Sequence, residues 1–356
     1  MAERPPRPIR VLIVDDSALV RRVLTEELSK HPDIEVVGTA PDPYVARERI
    51  AQLRPDVLTL DVDLPRMDGL SFLERLMRHF PMPVVVVSSL TPRDSDAAMR
   101  ALSLGAVDVI CKPSTIGANR SLGEELAHAI RGAAAANVGH FRSDQKSESP
   151  YAPPSLLQLP NTKKVIAIGA STGGPRAIEA ILRALPADSP GTVIVQHMPE
   201  FFTASFAQRL DQICPMNVRE ARDGDPVVPG VALVAPGNRH MVLQSAETGY
   251  VVRVKDGPAV HHQRPSVDVL FSSVARVAGE NAIGVLLTGM GADGARGLLA
   301  MRESGAATIA QDESTSVVFG MPREAIRLGA AEQVLPLPLI ASAIRRRLTE
   351  SARAVR

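Results

Sequence analysis

The chain has 356 residues, 45% hydrophobic and 22% charged, with a formal net charge of +1 at pH 7. Such a length suits two domains better than one. The balanced charge leaves no electrostatic footprint for nucleic acid, and no apolar run approaches the ~20 residues of a membrane helix.

The N-terminal "MAERPPRPIR" leads into "VLIVDDS", an apolar run stopped by Asp15 and Asp16, which is not the pattern of a signal peptide. Residues 10 to about 131 then alternate strand-like and helix-like segments. "RVLIVDD", "IEVVGTA", "DVLTLDVD", "PVVVVSSL" and "VDVICKP" read as strands. Helical segments lie between them, the first with Ser17 as its N-cap candidate. Five strands alternating with helices predict a doubly wound parallel sheet. From about 132 to 162 periodicity is lost and Ser, Pro and polar residues accumulate, the composition of an interdomain linker.

Alternation resumes at Lys163. "KVIAIGAS", "GTVIVQHMP", "NAIGVLLTGMG" and "ATIAQD" read as strands buried on both faces. Helices are expected in "PRAIEAILRAL", "FTASFAQRLDQI", "ADGARGLLAMRESG" and "MPREAIRLG". Residues 217–260 are β-rich, and "VALVAP", "HMVLQS" and "YVVRVKDG" are expected as antiparallel strands inserted there or added at an edge. The fold class is therefore α/β: two doubly wound parallel-sheet domains with some antiparallel strands in the second. The domains are expected at 1–131 and 163–356, joined by the linker 132–162. Cys111 and Cys214 are too few and too far apart for a disulfide framework or a metal cluster, which points to a reducing cytoplasm.

In the first domain Asp15 and Asp16 end the first strand, Asp61 the third and Lys112 the fifth. Strand C-termini of a parallel sheet share one edge, where ligands bind. One such Asp is as readily a helix cap. Three acids and a lysine together suit a hard divalent cation such as Mg²⁺ and an acceptor for a phosphoryl group. This region resembles the receiver domain of two-component response regulators, a flavodoxin-like fold. The resemblance implies Asp61 as phosphoacceptor, with Asp15, Asp16, Asp61 and the backbone carbonyl of Asp63 around Mg²⁺. It also implies Ser88 and Lys112 as sensors of the phosphoryl group, and Pro113 as a residue often cis in that family. Val109 stands where many receivers carry an aromatic switch residue, a departure from the pattern.

In the second domain "VIAIGASTGG" invites two readings. As a dinucleotide fingerprint it fails: Ser171 replaces the glycine that lets a pyrophosphate approach, and the next strand ends in Gln196 and His197 rather than an acid. As G-x-S-x-G it sets Ser171 on a glycine-flanked strand-to-helix turn, where a hydroxyl projects and amides can hold an oxyanion. Ser171 is equally placed to cap the helix that begins near Pro175. His197 closes the neighbouring strand and is the candidate base, against His240, His261 and His262. Asp293 is the candidate acid, against Asp225, Asp268, a possible helix cap, and Asp312. The order Ser, His, Asp differs from that of α/β-hydrolases, so an ordinary esterase or lipase is excluded.

"IGASTGGP", "QHMP", "DGDPVVPGVALVAPGNRHM", "RPSVDVLF", "LTGMGADGARGL" and "VVFGMPREAI", in this order behind a receiver and a linker, resemble the chemotaxis protein-glutamate methylesterases. That resemblance implies the triad Ser171, His197 and Asp293, with Asp293 chosen over Asp312, and a Rossmann-like catalytic domain. Thr172, Gly173 and Met290 fall beside the serine and the expected oxyanion site. It further implies glutamate γ-methyl esters on methyl-accepting chemotaxis receptors as substrate, glutamine deamidation as a second activity, and a chemotaxis histidine kinase as phosphodonor. The esterase reaction itself calls for no cofactor, and neither nucleic acid nor membrane insertion is expected.

Overall fold

A computed structural model describes residues 7–89, 92–112, 120–136 and 163–354. Pro113 and nearly all of the expected linker fall outside these residues. The chain divides into two compact units, Met1–Ser147 and Glu148–Arg356.

The first unit runs β1 (Ile9–Val14), α1 (Ala18–Leu28), β2 (Ile34–Ala40), α2 (Pro43–Leu53), β3 (Val57–Asp61), α3 (Gly69–His79), β4 (Val84–Ser88), α4 (Pro92–Leu104), β5 (Asp108–Cys111) and α5 (Arg120–Ala134). Its sheet has the order β2-β1-β3-β4-β5, all pairs parallel. Every residue of β3 and β4 is buried, as their unbroken Val/Leu character requires of strands covered on both faces. Ser17 caps α1, accepting the Val20 N–H, and Asp42 and Asp68 cap α2 and α3. Because β1, β3 and β5 run parallel, Asp15, Asp61 and Lys112 emerge at one edge.

The second unit begins β6 (Val165–Ala170), α6 (Gly174–Ala184), β7 (Gly191–Gln196), α7 (Glu200–Ile213), β8 (Asn217–Glu220), β9 (Pro226–Val227), β10 (Val231–Val234), β11 (His240–Ala246) and β12 (Gly249–Lys255). It continues α8 (Val267–Ala278), β13 (Ala282–Leu286), α9 (Ala295–Glu303), β14 (Ala307–Gln311), α10 (Met321–Arg327), β15 (Gln333–Leu335) and α11 (Leu337–Ala354). Seven parallel strands follow the order β15-β14-β13-β6-β7-β10-β8. From β6 the chain builds toward β7, β10 and β8, then returns to lay β13 on the other side of β6. The sheet therefore reverses direction at β6, the kind of place where open α/β sheets bind ligands.

The β-rich middle is only partly as expected. "HMVLQS" and "YVVRVKDG" do form an antiparallel pair, β11 and β12, joined by β9 in a separate three-stranded sheet. "VALVAP" instead supplies β10 of the main parallel sheet, hydrogen-bonded between β7 and β8. Its residues Ala232, Leu233 and Val234 are wholly buried. They lack the alternation of a half-exposed antiparallel strand, which is the signal that places β10 inside.

Helix α8 links the two sheets. The Ser273 hydroxyl accepts the Leu243 N–H of β11 at 2.8 Å, and Phe271 lies fully buried in one cluster with Val165, Ala167, Val193 and Met241. Replacing this ring leaves a cavity under the C-terminal ends of β6 and β7. Phe271→Ala is expected to lower stability by about 3–5 kcal/mol, read from urea unfolding of the second unit.

Candidate active site and acidic pocket

Ser171 follows the last residue of β6, and its N–H donates to Thr288 O at 3.0 Å. The chain then turns through Gly173, whose φ of 77° is left-handed and whose place as N-cap of α6 carries no side-chain hydrogen bond. Ser171 is thus not the cap of α6. His197 stands one residue beyond β7, and its N–H donates to Ala170 O at 3.1 Å, which sets the histidine beside the serine turn. Gly289 approaches so closely that a Cβ there would lie 2.6 Å from Ser171 Cβ, bringing the following Met290 to the same turn. Thr172, 2% exposed, has its carbonyl held by the Thr288 hydroxyl at 2.9 Å.

Asp293 lies in the loop between β13 and α9 and is 2% exposed. Oδ2 is 2.8 Å from His197 Nε2 and accepts the Val267 N–H at 2.8 Å. Oδ1 accepts the Ser266 hydroxyl at 2.8 Å and the Asp268 N–H at 3.0 Å. The carboxylate is therefore seated on the N-terminus of α8, where free amides and the helix dipole favour negative charge. Burial pushes its pKa up, but the His197 ring and the Val267 and Asp268 amides outweigh burial and hold it below the usual carboxylate range. An ionised Asp293 on Nε2 fixes the proton of a neutral imidazole there and leaves the lone pair on Nδ1. His197 Nδ1 is buried and makes no hydrogen bond among the described residues.

A Ser, His, Asp triad would link its members by two hydrogen bonds; here the His197–Asp293 bond is present and a Ser171–His197 bond is not. The serine hydroxyl turns about a single bond, and such contacts commonly tighten only with substrate in place. The rival groups other than His262, which is exposed, have partners of their own. Asp312 takes the Ser314 and Thr315 hydroxyls of its own turn, both at 2.5 Å. Asp225 takes the Arg219 guanidinium and the Arg222 N–H. Asp268 does not cap α8, a role Ser266 fills; it accepts the Gly297 N–H at 2.6 Å and lies 3.1 Å from His261 Nε2. His240 is buried, bonded to Pro258 O and to the Ser266 N–H. Ser266 was not singled out from sequence, although "RPSVDVLF" carries the Ser-before-apolar-run signature of a helix start.

In the first unit Lys112 Nζ lies 2.6 Å from Asp61 Oδ2 and 2.9 Å from Asp15 Oδ2. Asp15, Asp16 and Asp61 can each bring one carboxylate oxygen within 4.8 Å of the others. The Asp63 N–H donates to Asp61 Oδ1 at 3.2 Å, and Ser88 is fully buried at the end of β4. This all-oxygen set of clustered carboxylates fits a hard cation such as Mg²⁺. Burial, with the Asp15 charge added, pushes the Asp61 pKa up to about 6 although Lys112 opposes it.

Residues 166–344 match the CheB methylesterase family, and residues 11–120 match the response regulator receiver domain. The protein-glutamate methylesterase/protein-glutamine glutaminase 2 of Syntrophus aciditrophicus is 54% identical over 337 residues, covering 94% of this chain and 98% of that protein. The Escherichia coli protein-glutamate methylesterase/protein-glutamine glutaminase is 53% identical over 335 residues, 92% of this chain and 94% of its own. The chain belongs to the CheB methylesterase family. A solved structure of the Thermotoga maritima CheB methylesterase catalytic domain is 40% identical, covers 51% of this chain and 96% of its own, and superposes with a TM-score of 0.50. The receiver and methylesterase pairing expected from sequence thus holds. No helix among the described residues is long and apolar enough to cross a membrane.

Asp61 gives the pocket a pH signature. A carboxyl whose folded pKa lies above its unfolded value of about 3.9 favours folding below that value, and the contribution is lost as pH rises through about 6. Asp61→Asn should therefore match wild type near pH 4 and melt higher above pH 6. Added Mg²⁺ should narrow the gap, as followed by differential scanning calorimetry.

Proposed function

We propose that this chain is a phosphorylation-regulated serine hydrolase that demethylates glutamate γ-methyl esters of chemotaxis receptors. The observation that carries the reading is the 2.8 Å His197–Asp293 bond at the end of β7, beside a serine turn at the end of β6, with His197 Nδ1 buried and making no hydrogen bond among the described residues. Ser171 Oγ attacks the ester carbonyl while Nδ1 takes its proton. Asp293 holds the ring and stabilises the imidazolium. Amides near Thr172, Gly173 and Met290 hold the oxyanion, each such donor being worth about 100-fold or more in rate. As the C–O bond to the methoxy group breaks, the His197 imidazolium protonates the departing oxygen to release methanol, and water, deprotonated by His197, then hydrolyses the acyl-enzyme. A glutamine side chain follows the same course with loss of ammonia, so deamidation is the second activity.

Control is assigned to the receiver, residues 1–131, tethered through 132–162 to a catalytic domain at 163–356. A chemotaxis histidine kinase supplies the phosphoryl group to Asp61. Asp15, Asp16, Asp61 and the Asp63 carbonyl hold Mg²⁺, which when bound offsets charge at the acceptor carboxylate. Lys112 pairs with the transferred group and Ser88 senses it. The protein acts in the cytoplasm, on the cytoplasmic helices of its receptors.

Methanol release from methylated receptor membranes tests this, with and without a small-molecule phosphodonor. Ser171→Ala should abolish release. Asp61→Asn should keep the basal rate and lose phosphodonor stimulation. Removing residues 1–150 should raise the basal rate if the receiver restrains the enzyme; an unchanged rate would refute that restraint.

A further inference from the structure

We infer that Gln196 is a positioning residue whose carboxamide ties the turn carrying Ser171 to the strand end carrying His197. The inference rests on the serine-hydrolase reading above. Gln196 is the last residue of β7 and is 2% exposed. Its Nε2 donates to Ser171 O at 2.9 Å and to His197 O at 2.9 Å. One amide group thus places both hydrogens on the backbone carbonyls of the nucleophile and the base.

The partners dictate which way the carboxamide points. Both are carbonyl oxygens, so only the NH₂ can face them; turning the group over would set Oε1 against two acceptors. Oε1 is left buried, with no hydrogen bond among the described residues. It faces Gly174, where a Cβ would lie 2.0 Å from it. The second glycine of "STGG" is therefore clearance for Gln196, whereas the first supplies the left-handed turn. A buried, half-satisfied carboxamide is unusual and calls for a reason, and the register between Ser171 and His197 supplies one. Other ties near this turn reach to its own helix, Gly174 N–H to Ser171 O at 2.7 Å, to the loop after β13, Ser171 N–H to Thr288 O, or from the His197 N–H to Ala170 O, one residue short of the serine. Gln196 spans from the serine to the histidine. Because it touches backbone rather than substrate, its loss should act on kcat, and a displacement of about 1 Å can cost roughly 100-fold.

The test uses the full chain with Gln196→Met, which fills similar space without donors, and Gln196→Glu. Methanol release from methylated receptor membranes, labelling of Ser171 by a fluorophosphonate, and melting temperature are followed across pH. For Gln196→Met, kcat should fall about 10–100-fold with KM within about twofold, and labelling should slow in parallel. For Gln196→Glu, the rate relative to wild type should rise as pH falls, since the protonated acid regains one donor and the carboxylate has none. A folded Gln196→Met with kcat and labelling within about twofold of wild type overturns the proposal, as does a raised KM at unchanged kcat. If Gln196→Met fails to fold, a Gln196→Glu rate ratio that is flat with pH overturns it. Ser171→Ala, run alongside, keeps the two readings apart: methanol release that survives it defeats the triad, whatever Gln196 does.

Discussion

The site depends on one carboxylate and one helix end. Asp293 accepts from His197, from the Ser266 hydroxyl and from the Val267 and Asp268 amides, so both of its oxygens are fully engaged. A buried, ionised acid is tolerable only with such partners. The first turn of a helix offers unsatisfied donors and a favourable dipole together. Helix α8 is held in turn by Phe271 in the core and by Ser273 on β11, so the orientation of the His197 ring is tied to the packing of the whole unit.

Around that anchor the main sheet performs the assembly. Ser171, His197 and Asp293 follow β6, β7 and β13, three neighbouring parallel strands, although 96 residues separate the histidine from the aspartate. The reversal of strand order at β6 brings β7 and β13 to either side of it. The first unit repeats the logic with different chemistry. Its parallel strands gather three carboxylates and a lysine, and burial raises Asp61 while Lys112 stands against it. The same edge of an open α/β sheet thus carries a serine turn beside a His–Asp pair in one unit and an acidic pocket in the other.

Much of this was legible in the residues. Apolar runs mark the buried parallel strands, and the positions at or just past their ends hold Ser171, His197, Asp15, Asp61 and Lys112. The choice of Asp293 over Asp312 was not legible from spacing. It came from resemblance, and the geometry explains it: Asp312 is closed into its own Ser/Thr turn, whereas Asp293 meets His197. The placement of "VALVAP" in the main sheet is not legible in sequence, because a short strand's partner lies outside its own stretch of chain. The roles of Ser266 and Gln196 are not legible either, because a capping serine and a strand-end glutamine look ordinary until their neighbours are known.

By itself, the sequence determined local matters: where strands run and end, that Gly173 permits the turn after Ser171, and which residue types stand at each strand end. Periodicity and turn chemistry act over a few residues, so they can be read there. Only the tertiary structure decided which strand ends meet, which acid faces the histidine, and which of its nitrogens is left without a hydrogen bond among the described residues. Those outcomes follow from long-range sheet order and from competition among buried donors and acceptors, and no short stretch of chain encodes either.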